Sequence, residues 1–267
     1  PALLDLTVSG VMSKSQVHLG YGANKITAGS ISYSAVSRLE KGELLLTSGN
    51  VTGGDFDLSG EGSDTIKING NLNAKVYLGS GADSINVSGA MSGELKAEDN
   101  LTIDATSLYK LNGGLAGAVN RLNISKSVEK SALILGAGDN LVSSGDEENN
   151  NLNIISSSIK AGGKLKVDVK DVISSQISNV AVGEEETGLD LQVNKLNNST
   201  VTLAAGDSTI KASAVQNSNI TREAAGTLNL ESASVSGTVI ALTGEGADNI
   251  TVSGNMSADI TLGDAAD

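Results

Sequence analysis

The chain contains no cysteine, no tryptophan and very few other aromatic residues. Aromatic residues make up 2% of its 267 residues, and Phe56 is the one phenylalanine. The lack of cysteine excludes disulfides and zinc–thiolate sites, and a globular enzyme core of this length normally contains far more aromatic side chains. Pro1 is the one proline. Proline-rich linkers are therefore excluded, and we expect one continuous domain over residues 1–267.

Basic residues are scarce relative to acidic ones. The 18 lysines and arginines stand against 31 aspartates and glutamates, which gives a formal net charge of -13 at pH 7. Nucleic acids and anionic membranes bind basic surfaces, so neither is an expected partner, and divalent cations are the natural counter-ions. No apolar run has the length of a membrane span and no signal peptide is visible at Pro1. We expect no membrane insertion, and a mature or excised segment.

Glycine, serine, threonine and asparagine are abundant, and the stretch 242–262 shows how they are arranged. A glycine turn that ends at Asp248 is followed by an alternating apolar strand, a Ser-Gly corner, the apolar Met256 and a second alternating strand. Alternation means that one face of each strand is buried. The turn begins again at Gly263, about 20 residues after Gly244, and a fixed period of that length is typical of a solenoid.

The apolar residue of the corner recurs almost from end to end. It is found at Met12, Ile31, Leu72, Met91, Ile155, Ile173, Val215, Val235 and Met256, with weaker matches at Val51, Val128 and Leu196. One poorly matched rung near Leu108 brings the total to roughly 13 rungs, or a rod about 60 Å long. We therefore predict an all-β fold: a single β-solenoid of the parallel β-helix or β-roll type, with rungs of about 20 residues.

Three segments interrupt the repeat. Residues 105–120 lose the alternation and are predicted to form a loop or one helical turn, whereas residues 145–151 and 183–188 contain acidic runs. Such runs are usually solvated loops, with cation binding as the alternative. The single histidine, His18, lies beside apolar strand residues, and no cluster of acids with basic or aromatic groups is visible. We therefore expect no catalytic activity.

Three turns share the pattern Gly-x-Gly-x-Asp-x-Ile. They contain Gly60, Gly62 and Asp64; Gly79, Gly81 and Asp83; and Gly244, Gly246 and Asp248. The pattern resembles the calcium-binding nonapeptide of the RTX (repeats-in-toxin) β-roll family, with its first glycine replaced. Glycine lets backbone carbonyl groups turn toward a cation, and aspartate adds an anionic oxygen, whereas Ca²⁺ takes about six to eight oxygen ligands.

One turn supplies only about half of these oxygens, so a calcium site requires two stacked turns. We expect Asp64 and Asp83 to form one pair, and Asp248 to form a second with Asp267, which follows Gly263. RTX repeats recur about every nine residues, whereas these turns recur about every 20, so the resemblance implies calcium along one edge of a wider coil. The alternative is that the motifs are simply good tight turns.

The two ends of the sequence match one another. Leu4, Leu6 and Val8 begin in the middle of a rung, and Ile260 and Leu262 end just before a glycine turn. The last residues would therefore nearly complete the first rung. This match indicates either a segment of a longer repetitive chain or separate copies that stack head to tail, because a heterologous interface that does not close produces an open polymer.

Together these features predict a structural, self-associating protein stabilised by calcium, located outside the cell or on a bacterial cell surface. The acidic, cysteine-free composition resembles that of surface-layer proteins, fibrous surface proteins and large adhesins. One alternative is a stalk or ligand-binding segment of a large RTX-like adhesin, with a cell-surface glycan or a host surface as its partner. Another is a polysaccharide-active β-helix enzyme.

Overall fold

The computed structural model describes residues 3–146, 149–180 and 187–263, and in these ranges the chain forms 24 β-strands. This part of the chain contains no helix that is long and apolar enough to cross a membrane. The strands are β1 (Asp5–Ser13), β2 (Gln16–His18), β3 (Gly22–Ser32), β4 (Ala35–Ser37), β5 (Gly42–Ser48), β6 (Val51–Leu58), β7 (Thr65–Ile68), β8 (Leu72–Leu78), β9 (Asp83–Ala97), β10 (Leu101–Leu115), β11 (Asn120–Glu129), β12 (Ala132–Leu135), β13 (Asp139–Ser143), β14 (Asn153–Ile155), β15 (Ser158–Ala161), β16 (Lys164–Ile173), β17 (Gln176–Asn179), β18 (Gly188–Asn197), β19 (Thr200–Leu203), β20 (Ser208–Gln216), β21 (Asn219–Arg222), β22 (Leu228–Leu242), β23 (Asn249–Val252) and β24 (Met256–Leu262).

Parallel pairing between successive rungs joins these strands into a β-solenoid of about 12 turns, with rungs of roughly 20 residues. The predicted fold class is therefore confirmed. Each rung contributes three paired stretches, as the first rung shows with residues 5–8, 11–13 and 16–18. We call these the first, second and third stretches. A corner separates neighbouring stretches, and a glycine-rich turn leads to the next rung.

Most of the interior consists of columns of apolar residues that run along the solenoid axis. The column of the first stretch is Leu6, Ile26, Leu46, Ile66, Ile85, Ile103, Leu122, Val142, Val167, Leu191, Ile210, Leu230 and Ile250. The column of the third stretch is Val17, Val36, Phe56, Val76, Leu95, Gly113, Leu133, Ile159, Ile177, Val201, Ile220, Ile240 and Ile260. Burial of each such side chain contributes about 1.5–3 kcal/mol.

The second stretch supplies one inward residue per rung. Its column is Met12, Ile31, Val51, Leu72, Met91, Leu108, Val128, Ile154, Val172, Leu196, Val215, Val235 and Met256. Most predicted corner residues are therefore correct, and Leu108 does belong to the poorly matched rung. The prediction is one residue late in two rungs, where Ile154 and Val172 are inside instead of Ile155 and Ile173. Adjacent β-branched residues hide which of the two points inward.

The predicted irregular segments are partly wrong. Residues 105–115 are not a loop but part of β10, in which small inward residues, Ala105 and Gly113, conceal the alternation. Residues 116–119 form the turn before β11. The described residues of 145–151 lie outside the strands, between β13 and β14, as expected, and Glu147 and Glu148 are outside the described residues. Residues 183–186 are also outside them, and Gly188 already begins β18.

The corner between the second and third stretches has a left-handed backbone in most rungs. Positive φ angles occur two residues after the second-column residue, at Lys14, Tyr33, Gly53, Gly93, Lys110, Lys130, Ser156, Ser174, Asn198, Asn217 and Gly237. Residues other than glycine rarely adopt this conformation. Its recurrence along the coil shows that the sharp corner is imposed by the solenoid rather than by any one residue type.

A ladder of buried serines follows this corner over five successive rungs: Ser131, Ser157, Ser175, Ser199 and Ser218. The Ser175 hydroxyl, for example, donates to the Ile173 carbonyl at 2.7 Å and accepts the backbone N–H of Ser157, in the preceding rung, at 3.1 Å. Equivalent N–H contacts of 3.1–3.2 Å join the other neighbours of the ladder. Each hydroxyl therefore satisfies backbone groups that the corner would otherwise leave unpaired in the interior.

We predict that Ser175→Ala lowers the free energy of unfolding by about 1–2 kcal/mol, because it leaves the buried Ser157 N–H without an acceptor. Urea denaturation followed by circular dichroism measures this loss. The control is Ser178→Ala, at a half-buried position of the adjacent strand, which should stay within about 0.5 kcal/mol of the parent. Equal losses for the two variants would contradict the role assigned to the ladder.

Candidate functional site in the glycine-aspartate turns and at the two ends

The aspartates of the three motif turns point into the solenoid. Asp64 is 1% exposed, Asp83 3% and Asp248 9%. They belong to a fourth interior column, two residues before the first-stretch column: Leu4, Asn24, Leu44, Asp64, Asp83, Leu101, Asn120, Asn140, Leu165, Leu189, Ser208, Leu228 and Asp248. The carboxylates therefore lie in the interior, at a position that leucine fills in other rungs.

The motif glycines allow the turns to stack closely. Gly62 and Gly246 both have a φ of +135°, and Gly81 has a φ of +144°. A Cβ atom added at Gly62 would overlap the carbonyl oxygen of Gly42 in the preceding turn. Glycine is therefore required both by backbone conformation and by contact with the neighbouring rung. Backbone conformation and close stacking are thus sufficient to explain the glycine pattern, without a bound cation.

Each inward aspartate accepts a hydrogen bond from a buried backbone N–H group of the preceding rung. Asp64 Oδ1 accepts from Leu44, and Asp248 Oδ1 accepts from Leu228, both at 2.8 Å. Asp83 Oδ1 accepts from the N–H of Asp64, also at 2.8 Å. In each pair the donor occupies the equivalent column position. The carboxylates therefore cap amides that lie where the chain enters the first stretch.

Two of the three carboxylates also form bidentate ion pairs with buried arginines. Arg38 donates from Nη1 to Asp64 Oδ1 at 2.5 Å and from Nη2 to Asp64 Oδ2 at 2.9 Å. Arg222 makes the same contacts with Asp248, at 2.7 and 2.9 Å. The two arginines are 1% and 0% exposed. The buried charges of Asp64 and Asp248 are therefore each neutralised by a guanidinium from inside the solenoid.

The guanidinium groups also bind carbonyl oxygens of the turns. Arg38 Nε donates to the Glu40 carbonyl at 3.1 Å and Nη2 donates to the Gly60 carbonyl at 3.3 Å. Arg222 Nε donates to the Ala224 carbonyl at 3.1 Å. Of the groups that we expected to bind calcium, Arg38 thus contacts the Asp64 carboxylate and the Gly60 carbonyl, and Arg222 contacts the Asp248 carboxylate.

Calcium does not fit the turns at Asp64 and Asp248 as they are arranged. The ion takes about six to eight oxygen ligands, whereas both carboxylate oxygens of each aspartate already accept hydrogen bonds from arginine. Across the described residues no group of three or more histidine, aspartate or glutamate side chains could hold a metal ion. The expected partner Asp267 is outside the described residues, and Gly263 follows β24. Calcium elsewhere on the chain stays a prediction.

Asp83 lacks the arginine that its two counterparts have. The position that corresponds to Arg38 one rung later is Leu58, since their strands pair in register. Among the described residues Asp83 Oδ2 is buried without a hydrogen-bond partner. Burial raises the pKa of Asp83 to about 6; the charges of Asp64 and Asp99 add to this rise, and the Asp64 amide and Arg38 oppose it.

Sequence reasoning missed Arg38 and Arg222, although a signal was present. The chain has only three arginines. By alternation, Arg38 lies two residues after the inward Val36, and Arg222 lies two residues after the inward Ile220, so both are at inward positions of the third stretch. A charged residue at an inward position requires a buried partner of opposite charge, and the motif aspartates supply it.

The second candidate site is formed by the two ends of the described solenoid. β1 and β2 pair only with β3 and β4 of the next rung, and β23 and β24 pair only with β22. Within residues 3–263 each end therefore presents strands with one edge unpaired. Such edges can pair with strands of another chain.

Apolar side chains lie beside these unpaired edges. Ile260 is 40% exposed and Leu262 38%, whereas Ile240 and Leu242, the equivalent residues of the preceding rung, are fully buried. At the other end Leu4, Leu6 and Val8 are only partly buried. The structure therefore places the five predicted assembly residues at the two ends, three at one and two at the other.

Comparison of the chain with protein-family models, with curated proteins and with solved structures finds no match.

We predict that Asp83→Asn raises the free energy of unfolding at pH 7.5 by about 1–2 kcal/mol. The folded-state pKa of about 6 lies above the usual 3.8, so the folded state binds the proton more tightly than the unfolded state. The ionised side chain therefore destabilises the fold increasingly as the pH rises from about 4 to 6, and the full penalty persists above pH 6. Asparagine removes this penalty, and Asn120 and Asn140 show that it fits the column.

Urea denaturation between pH 4 and 7.5 measures this effect, and the advantage of Asp83→Asn should shrink toward pH 4. The control is Asp55→Asn at an exposed strand position, for which no such trend is expected. A variant that is less stable than the parent at pH 7.5 would show that the ionised carboxylate is needed.

Proposed function

We propose that the chain is a structural building block that associates end to end into rods or filaments. The observation that supports this is the match between the apolar columns of the first and last rungs in the described solenoid. In a stack of two copies, Ile250 of one copy would lie next to Leu6 of the other, and Ile260 would lie next to Val17. Each pair would continue an apolar column in the way that two successive rungs do. Unpaired backbone groups and exposed apolar side chains would be covered in the same step.

The outward side chains of the first and last rungs could also lie next to one another in a joint between two copies. The same register would place Thr251 beside Thr7, and Asp259 beside Gln16. Threonine pairs stabilise neighbouring strands, whereas like charges directly opposite each other destabilise them. Neither of these two contacts brings like charges together. The joint therefore resembles an ordinary step between rungs of this solenoid.

An interface of this kind joins two different surfaces and leaves a free end on each partner, so it produces an open polymer. A polymer of stacked rungs would be a stiff fibre in which each copy adds about 60 Å. The acidic, cysteine-free composition supports a place for it outside the cell or on a bacterial cell surface, in a surface layer or a filament. Surface location is part of the proposal.

The first test compares the parent with Ile260→Glu by size-exclusion chromatography with light scattering and by negative-stain electron microscopy. The parent should form rods longer than one unit, in greater number at higher concentration, whereas a buried charge at the joint should leave single units. The matched control is Ile134→Glu, at a 59% exposed position in the middle of the rod, which should assemble like the parent. Single units of the parent at high concentration would overturn the proposal.

A mixing experiment tests whether the joint connects unlike ends. Leu6→Glu blocks one end and Ile260→Glu blocks the other, so each variant alone should be monomeric, while a mixture should form dimers and nothing longer. Association between like ends would instead let each variant dimerise alone through its intact end. Circular dichroism confirms that both variants are folded.

A further inference from the structure

Two turns of the solenoid, near opposite ends of the chain, contain the same internal arrangement. One consists of Arg38, Leu44 and Asp64, and the other of Arg222, Leu228 and Asp248. In both, arginine and aspartate are 26 residues apart, the carboxylate is bound bidentately, and its Oδ1 accepts the leucine N–H at 2.8 Å. Arginine Nε binds the carbonyl two residues further along the chain in both. We call this arrangement the Arg-Asp unit.

Asparagine performs the same task alone at other positions of the column. Asn24 Oδ1 accepts the N–H of Leu4 at 3.3 Å, while its Nδ2 donates to the carbonyls of Gly20 and Gly22 at 3.0 Å. Asn140 Nδ2 likewise donates to the carbonyls four and two residues before it, at 3.0 and 3.2 Å. The Asn24 amide therefore accepts a backbone N–H of the preceding rung and also closes its own turn, whereas Asn140 closes its turn and accepts the Asn120 side-chain amide at 2.9 Å.

An ionised aspartate accepts hydrogen bonds but has none to donate. It can therefore accept the N–H of the preceding rung, but it cannot bind the turn carbonyls as asparagine does. The carbonyl four residues before Asp64 is that of Gly60, and it is bound by Arg38 Nη2. The guanidinium thus supplies the donor and the positive charge that the carboxylate lacks.

We propose that buried arginine takes the place of calcium at the turns of Asp64 and Asp248, so that these Gly-x-Gly-x-Asp turns close without metal. Arg38 contacts the Asp64 carboxylate and the Gly60 carbonyl, and Arg222 contacts the Asp248 carboxylate; these are oxygens that a cation at the two turns would bind. Asparagine and the Arg-Asp unit are then two interchangeable solutions to one requirement. This inference concerns the interior of the solenoid and does not depend on end-to-end assembly.

If the two solutions are interchangeable, replacing both members of an Arg-Asp unit should be less harmful than replacing either one. Arg38→Leu leaves a buried carboxylate without its cation, and Asp64→Asn leaves a buried guanidinium without its anion, so each change alone should lower the melting temperature by about 10 °C or more. The double variant Arg38→Leu/Asp64→Asn contains neither charge. It reproduces the native combination of Leu115 with Asn140 two turns later, so it should recover most of the loss.

The experiment measures the melting temperatures of the parent, both single variants and the double variant by circular dichroism, in excess EDTA and in millimolar calcium. The controls are Arg121→Leu and Asp55→Asn, which remove exposed charges of the same two types and should change the melting temperature little. The parent should melt at the same temperature in EDTA and in calcium.

Two outcomes would overturn the inference. One is a double variant whose loss equals the sum of the two single losses, because the two solutions would then not be interchangeable. The other is a parent protein that melts several degrees higher in calcium than in EDTA. If a single variant at the first unit does not fold, the same cycle is made with Arg222 and Asp248 of the second unit.

Discussion

The structure depends on one constraint: every buried backbone N–H and C=O group needs a hydrogen-bond partner. At the corners and turns of each rung, some of these groups point away from the parallel ladder and cannot find a partner there. They lie in the interior, where an unpaired polar group costs about 1–3 kcal/mol. The chain satisfies them with side chains that repeat along the axis. Buried serines do so at the corner, and asparagine, serine or aspartate does so at the turn. Polar columns are therefore as much a part of this core as the aliphatic ones.

The fold could be predicted because every rung follows the same alternation. A residue such as Ile66 is inward, apolar and paired with Ile85 of the next rung, so the period and the strand type are both visible. The pattern fails where two neighbouring residues are equally apolar, as at Ile154 and Ile155, or where the inward residue is small, as at Gly113. In those places packing against the next rung, rather than local sequence, decides which side chain points inward.

The site was less predictable because two rules disagree there: a charged aspartate is normally exposed to solvent, whereas alternation along the strand points it into the interior. Alternation puts Asp64, two residues before Ile66, inside the solenoid, and Leu44 occupies the same position one rung earlier. A carboxylate in that position is acceptable only if a cation is buried with it. The cation comes from Arg38, two turns before the aspartate, and no spacing rule for calcium motifs includes such a residue. The resemblance to RTX turns predicted calcium at these turns, and it gave no indication of the guanidinium that is bound to Asp64.

In this account buried side chains, rather than calcium, hold the turns in place. Amide hydrogen exchange, measured by NMR in calcium-free buffer with chelator, tests this claim most directly. The amides of Leu44 and Leu228 lie at the turns and are bonded to Asp64 and Asp248. They should exchange as slowly as strand amides of the same rungs, because each is buried and paired. Fast exchange of these two amides that slows only when calcium is added would contradict the account.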